Sequence, residues 1–155
     1  SRLASFGDVG MIIDWKDGRR EVRQDFSNTV LKLGRRALAL SLANRIGDTY
    51  DFYITRMLFG DGGTQYGVKK YVNANRNGLF GTTRITKPVL ANVDSTVPTQ
   101  VILTSVLTFE DVPGIVLNEM ALQMGSGDLF SMTTFADLTK TEEMQITFNW
   151  RMNFV

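Results

Sequence analysis

Neither cysteine nor histidine occurs anywhere in the 155 residues. The first absence excludes disulfides, thiol catalysis, thiolate metal sites and thiol redox sensing. The second removes the usual general base, the commonest metal ligand and the usual charge switch near neutral pH. Most hydrolase constellations therefore lack their members, and neither an enzyme nor a bound cofactor or metal is expected. Long apolar runs are missing too: none approaches the ~20 residues that span a bilayer as a helix. Residues 1–5 lack the apolar core and cleavage pattern of a secretory signal. A protein made without export and without a membrane partner is the expectation.

What is present suits one domain over residues 1–155. With 43% hydrophobic residues, a chain of this size buries about two-thirds of the surface its unfolded form exposes. Net charge is only +1, yet unevenly placed. Residues 1–87 hold 15 Lys and Arg against 8 Asp and Glu, and residues 88–155 hold 2 against 8. If each half reached its own surface, the molecule would be a dipole able to stack head-to-tail. Interleaved halves would cancel that field.

Along the chain, the apolar run 9–15 ends at Lys16-Asp17-Gly18, a turn signal, and Glu21-Val22-Arg23 reads as a returning strand. Residues 28–46 follow helical spacing, with Val30, Leu33, Ala37 and Leu40 on one face and Ser27 or Asn28 as cap. Gly47 suits the helix end, and Gly34 inside it implies a break or a close approach. Residues 52–59 form an aromatic-rich strand, closed by the turn Gly60-Asp61-Gly62-Gly63. Beyond Gly81 nearly everything is strand by pattern, over 83–93, 98–109, 115–123, 128–135 and 143–155. In the last, Met144, Ile146, Phe148, Trp150, Met152 and Phe154 alternate with polar residues, the mark of a half-buried strand. The predicted fold is mainly β, an antiparallel sandwich or barrel-like sheet with one helix, whose core includes Leu33, Ala37, Leu40, Ile146, Phe148, Trp150, Met152 and Phe154.

Candidate chemistry is sparse. The Gly60–Gly63 stretch lacks the lysine and hydroxyl that a phosphate loop needs directly after its glycines. Adjacent Glu142 and Glu143 point to opposite faces of a strand. Neither Asp61 nor Asp128 sits in a calcium-loop pattern. Glu119 interrupts an apolar strand and is expected to pair with a backbone amide or an arginine. The basic cluster Lys16, Arg19, Arg20, Arg23, Lys32, Arg35 and Arg36 is interspersed with carboxylates, so a solvated face or an acidic neighbour fits better than nucleic acid. Residues 65–81 mix Tyr, Asn, Lys and Arg with glycine over a long connection. Tyr66, Lys69, Lys70, Tyr71, Arg76 and Phe80 are the expected interface anchors.

Two segments together carry a resemblance. One comprises residues 25–39, Asp-Phe-Ser-Asn-Thr-Val-Leu-Lys-Leu-Gly-Arg-Arg-Ala-Leu-Ala, with 54–64, Ile-Thr-Arg-Met-Leu-Phe-Gly-Asp-Gly-Gly-Thr. The other runs from Phe109-Glu110-Asp111 through Asn118-Glu119-Met120-Ala121-Leu122 and Asp128-Leu129-Phe130-Ser131 to Ile146-Thr147-Phe148-Asn149-Trp150-Arg151-Met152-Asn153-Phe154. This succession resembles small virion proteins of tailed bacteriophages, found among tail-fibre, collar, baseplate and head-decoration components. The resemblance implies a non-catalytic β-sandwich, forming symmetric homo-oligomers with other phage structural proteins on a virion assembled in the bacterial cytoplasm. The long Gly- and Asn-rich stretch 65–81 is where this chain departs from the resemblance. The final strand, at about 3.3 Å per residue, spans on the order of 35–40 Å, which is expected to leave an edge for a second chain. The competing reading is a carbohydrate-binding β-sandwich used in host adhesion, with a shallow groove beside exposed aromatics. An enzyme built on Asp61, Asp128 and Glu119 is the least favoured.

Overall fold

Period-two alternation at both ends of the chain brings those ends together. Strand β1 (Gly7–Trp15) buries Val9, Met11 and Ile13, and β12 (Met144–Asn153) buries Ile146, Phe148, Trp150 and Met152. The two pair antiparallel from Gly7 opposite Met152 to Trp15 opposite Met144. These elements belong to a computed structural model that describes residues 7–43 and 52–154, with backbone alone at 24–26.

The predicted N-terminal hairpin forms, turning at Gly18 with φ +93° into β2 (Arg20–Ser27). After Asn28 the chain passes into the two-residue β3 (Thr29–Val30) and then α1 (Lys32–Leu42). Next come β4 (Ile54–Gly60), a hairpin of β5 (Thr64–Gln65) and β6 (Val68–Lys69), β7 (Thr83–Pro88), β8 (Leu90–Asn92), β9 (Gln100–Leu107), β10 (Ile115–Met124) and β11 (Leu129–Lys140). Two five-stranded antiparallel sheets result. Sheet A has the order β2-β1-β12-β9-β8, and sheet B the order β3-β11-β10-β4-β7. The chain changes sheet at Asn28, at Val89, between β9 and β10 and between β11 and β12, and the arrangement is a sandwich and not a closed barrel.

Between the sheets lies the main core. Phe59 of sheet B meets Phe148 of sheet A at 4.7 Å between ring centroids. Trp150, Met120, Leu117, Leu107 and Phe135 pack around them, all buried. Sheet B is also covered on its other side. There Leu31, Leu58, Val72, Ala121, Leu129 and Met132 form a second apolar cluster, with Leu79 and Phe80 packed against it. Residues 61–82 supply much of that cover.

Several expectations need correction. The helix begins at Lys32, not at residue 28, and its N-cap is Leu31 with no side-chain bond. Ser27 and Asn28 instead end β2 and form the sheet-changing corner; Gly47 lies outside the described residues. The buried face of α1 is Gly34 and Ala37, with Leu38 packed on the core, whereas Leu33 and Leu40 are only half-buried. A Cβ on Gly34 would collide with the main chain of Phe130, so the helix lies close against β11 through its smallest residue. Phe154 is 43% exposed and lies beyond β12, so it is not a core residue. Nor is β12 an edge. It is the central strand of sheet A, paired to β1 on one side and β9 on the other.

The charge asymmetry is likewise interleaved. Each sheet takes strands from both halves of the chain, and the pairs Lys87–Asp111 (2.9 Å) and Arg151–Asp8 (3.9 Å) join the halves directly. In the basic cluster, Arg19 pairs with Asp17, Arg20 with Asp14 and Arg23 with Glu21.

Gly34→Ala tests the close approach. In an exposed helix this change stabilises by about 1 kcal/mol. Here the Phe130 carbonyl stands in the way, and the variant is expected to lose about 1–3 kcal/mol in urea unfolding. A gain would refute the packing of α1 on β11.

Candidate functional site

Glycines at 60, 62, 63 and 81 let two backbone segments and two polar side chains converge. The ladder of β10 shifts between Leu117 and Glu119. At that irregularity the adjacent Asn118 and Glu119 both reach the same loop, which regular alternation forbids. Glu119 is fully buried. Its Oε2 accepts from the amides of Gly62 (2.7 Å) and Gly81 (2.8 Å), and its Oε1 from Phe80 (2.7 Å). Asn118 Oδ1 accepts from the Gly63 amide (2.7 Å). Its Nδ2 donates to Thr64 Oγ1 (3.1 Å) and Asp137 Oδ1 (3.0 Å). A Cβ on Gly62 would strike the Gly81 backbone, and one on Gly63 the Asn118 carbonyl. The Gly60–Gly63 motif is thus a contact between main chains, not a nucleotide cradle.

Around this anchor the connection is knit at several further points. Asp61 Oδ1 accepts from the Thr82 amide (2.9 Å) and Oδ2 from Arg84 Nε (2.6 Å). Thr134 Oγ1 donates to the Lys70 carbonyl (2.9 Å) and Thr29 Oγ1 to Val72 (3.5 Å). The Arg76 guanidinium lies 3.7 Å from the Phe80 ring centroid and donates to the carbonyls of Gly78 and Leu79. Lys70 Nζ is 5.1 Å from the same ring.

The six expected interface residues therefore divide. Lys70, Arg76 and Phe80 hold the connection together and are half-buried. Tyr66, Lys69 and Tyr71 face solvent, with Tyr66 96% and Tyr71 85% exposed. Between β5 and β6 the turn is Tyr66-Gly67, with φ +52° and +76°, the two-residue type I′ geometry of tight hairpins. Beside it runs a polar groove of about 320 Å³, lined by Ser27, Thr29, Lys69, Tyr71, Thr133 and Thr134 among others.

Asp61, Asp128 and Glu119 form no catalytic cluster. Glu119 and Asp61 are engaged by loop amides, and Asp128 lies after the β10–β11 hairpin turn at the far end of β10. No group of three or more Asp and Glu able to hold a metal occurs among the described residues. Sequence reasoning missed Asn118 and Lys140. Lys140 is fully buried and donates to the carbonyls of Phe109 (3.3 Å), Asp111 (3.0 Å) and Thr141 (2.9 Å). Burial pushes its pKa below the usual lysine value, against the opposing pull of Asp111, Glu110 and Glu142. Only the last residues of β11, Asp137 to Lys140, alternate exposed and buried; that places Lys140 inward, and nothing in its residue type signals burial.

Comparison with protein-family models, curated proteins and solved structures gives no match in any of the three.

Replacing Glu119 by Ala takes the acceptor from three part-buried amides, each costing up to about 1–3 kcal/mol. Stability is expected to fall by roughly 3–5 kcal/mol, with hydrogen-exchange protection lost first at the amides of Gly62, Phe80 and Gly81. Unchanged protection there would show that the carboxylate is not the anchor.

Acid should weaken the fold through Asp61, Asp111 and Asp137. Burial raises Asp61, but the Arg84 bond, the Thr82 amide and the Arg84 charge outweigh it and hold the pKa below the ordinary 3.8. Burial likewise raises Asp111, and Lys87 with the Thr108 amide outweighs it. Asp137 is lowered by bonds from Thr64 and Asn118. A carboxylate so lowered stabilises the fold above its unfolded pKa, and that contribution vanishes as pH falls through the folded value. Unfolding free energy should therefore decline below about pH 4, with a flatter acid limb in the double variant Asp61→Asn, Asp111→Asn. Equal acid limbs for the two proteins would remove these groups from the account.

Proposed function

We propose that the chain is a non-enzymatic structural subunit of a tailed-bacteriophage virion, joining symmetric oligomers on the particle as a head-decoration, collar or tail accessory protein. The observation that carries the assembly reading is the β5–β6 hairpin. It presents Tyr66 and Val68 to solvent, with Tyr71 just beyond β6, at 96%, 68% and 85% exposure, on a base tied down by Asn118 and Glu119. Exposed tyrosines on a rigid support favour protein contact, because little conformational freedom is lost on binding. The placement on a phage particle rests on the sequence resemblance.

The carbohydrate reading has one observation in its favour, the polar groove beside Tyr71. Its aromatic rim and hydroxyl-lined floor suit a sugar ring, though no second exposed aromatic lines it.

Size-exclusion chromatography with light scattering is expected to give an integral multiple of the chain mass. Antibody raised to the protein should label purified phage particles at one location. A strict monomer that labels no particle would end the proposal, and a glycan array with specific signal would transfer it to host adhesion.

A further inference from the structure

Cyclisation of an Asn or Asp side chain onto the main chain needs an unengaged amide nitrogen on the next residue. It is fastest where that residue is glycine, whose missing Cβ leaves the nitrogen uncrowded and the backbone free to turn. Three pairs in this chain meet the residue requirement: Asp17-Gly18, Asp61-Gly62 and Asn77-Gly78. The fold closes the first two. Gly18 N donates to the Trp15 carbonyl (3.0 Å), and the Asp17 carboxylate accepts from the Arg19 amide (3.0 Å) and Nε (2.8 Å). Gly62 N donates to Glu119 (2.7 Å), and Asp61 is held by the Thr82 amide and Arg84.

Asn77-Gly78 is held at neither end. Asn77 is exposed, and both residues lie outside helix and strand. Among the described residues, nothing accepts from the Gly78 amide and nothing bonds the Asn77 side chain. A Cβ at Gly78 would meet no atom within 4 Å, so the space beside the nitrogen is open. The neighbouring asparagines differ. Asn73 Oδ1 accepts from the Asn75 amide (2.8 Å), and the nitrogen that would attack Asn75, that of Arg76, donates to the Asn73 carbonyl (3.1 Å).

We infer that Asn77 is a site of spontaneous deamidation in the folded protein. The Gly78 nitrogen gives its proton to solvent base and attacks Asn77 Cγ. The bond from Cγ to Nδ2 breaks, and Nδ2 leaves as ammonia, closing a succinimide ring. Water then adds to one of the two ring carbonyls. Opening at Cγ leaves aspartate; opening at the main-chain carbonyl leaves isoaspartate, with the chain running through Cβ and Cγ. Nothing is oxidised or reduced. Either product places a carboxylate beside Arg76, whose guanidinium stacks on Phe80 and bonds the Gly78 and Leu79 carbonyls. Isoaspartate also adds one carbon to the main chain just before those carbonyls. The reaction marks the age of the molecule within the connection that carries Tyr66 and Tyr71.

The test incubates the full chain, folded, in warm and mildly alkaline buffer. Peptide mass spectrometry, with fragmentation that resolves Asn73, Asn75 and Asn77, follows amide loss, and enzymatic methylation of isoaspartyl carboxyls follows the isomer. Conversion at Asn77 is expected to outrun that at Asn73 and Asn75 by about tenfold or more, as a barrier lower by about 1.4 kcal/mol gives. Gly78→Ala has room for its methyl group and no left-handed φ to strain it. That variant should keep the wild-type urea midpoint and convert at Asn77 about tenfold more slowly or less. Equal rates at the three asparagines would overturn the inference. So would a Gly78→Ala protein that converts as fast as wild type, since the Gly78 nitrogen would then not be the nucleophile.

Discussion

A buried carboxylate with three main-chain amides around it sets the shape of everything on the sheet B side. A buried carboxyl group left without donors is costly, and the donors to Glu119 come from Gly62, Phe80 and Gly81, residues that β4 and β7 place on either side of a long connection. Bringing these amides to one side chain closes the connection into a loop with its ends together. The loop then lies over Leu58, Ala121, Leu129 and Met132 and makes sheet B a layer covered on both faces. The hairpin orientation follows from the same event, because Thr64 begins one bond away from Asn118.

Lys140 is the counterpart of opposite sign. Its ammonium gathers the carbonyls of Phe109, Asp111 and Thr141, pinning the β9–β10 connection to the start of the β11–β12 turn. Both buried side chains are thus satisfied largely by main-chain groups and not by an opposite charge. A main-chain partner exists whatever side chain a loop carries, provided the backbone can approach, which is why glycine recurs at 62, 63 and 81. The anchoring therefore places few demands on the identity of neighbouring residues, apart from those glycines.

That division explains what the sequence alone makes legible. Half-buried strands announce themselves locally, so β1 and β12 are readable from alternation, and Glu119 stands out as the one carboxylate in an apolar run. Its partners are not readable, since an amide belongs to any residue and these lie 38 to 57 positions away. The place of β12 in its sheet is equally hidden. An edge strand and a central strand with one solvated face show the same alternation, and only the pairing of Gly7–Trp15 and Gln100–Leu107 on its two sides decides between them. Ser27 and Asn28 mislead for a related reason. Small polar residues before an apolar periodic run suit a helix cap, but they also suit a corner where the chain leaves one sheet for the other. Leu33 and Leu40 fit a generic helical stripe, whereas the actual contact face is chosen by how near β11 can come, and that is set by Gly34.

The same physics bears on where recognition can reside. A side chain needed for folding is constrained by its neighbours. Arg76 and Phe80, stacked on one another beneath the loop, are of that kind. Tyr66 and Tyr71 are not, for their backbone is held by bonds made elsewhere, at Thr64, Lys70 and Val72. A tyrosine kept in a left-handed turn at 96% exposure is a local cost to the isolated chain. Main-chain anchoring allows the fold to absorb that cost, because the turn is secured from its base and not by the residue at its tip. The rigid base and the free tip are therefore two consequences of one arrangement, in which Glu119 and Asn118 fix the loop and leave the outward residues available to a partner.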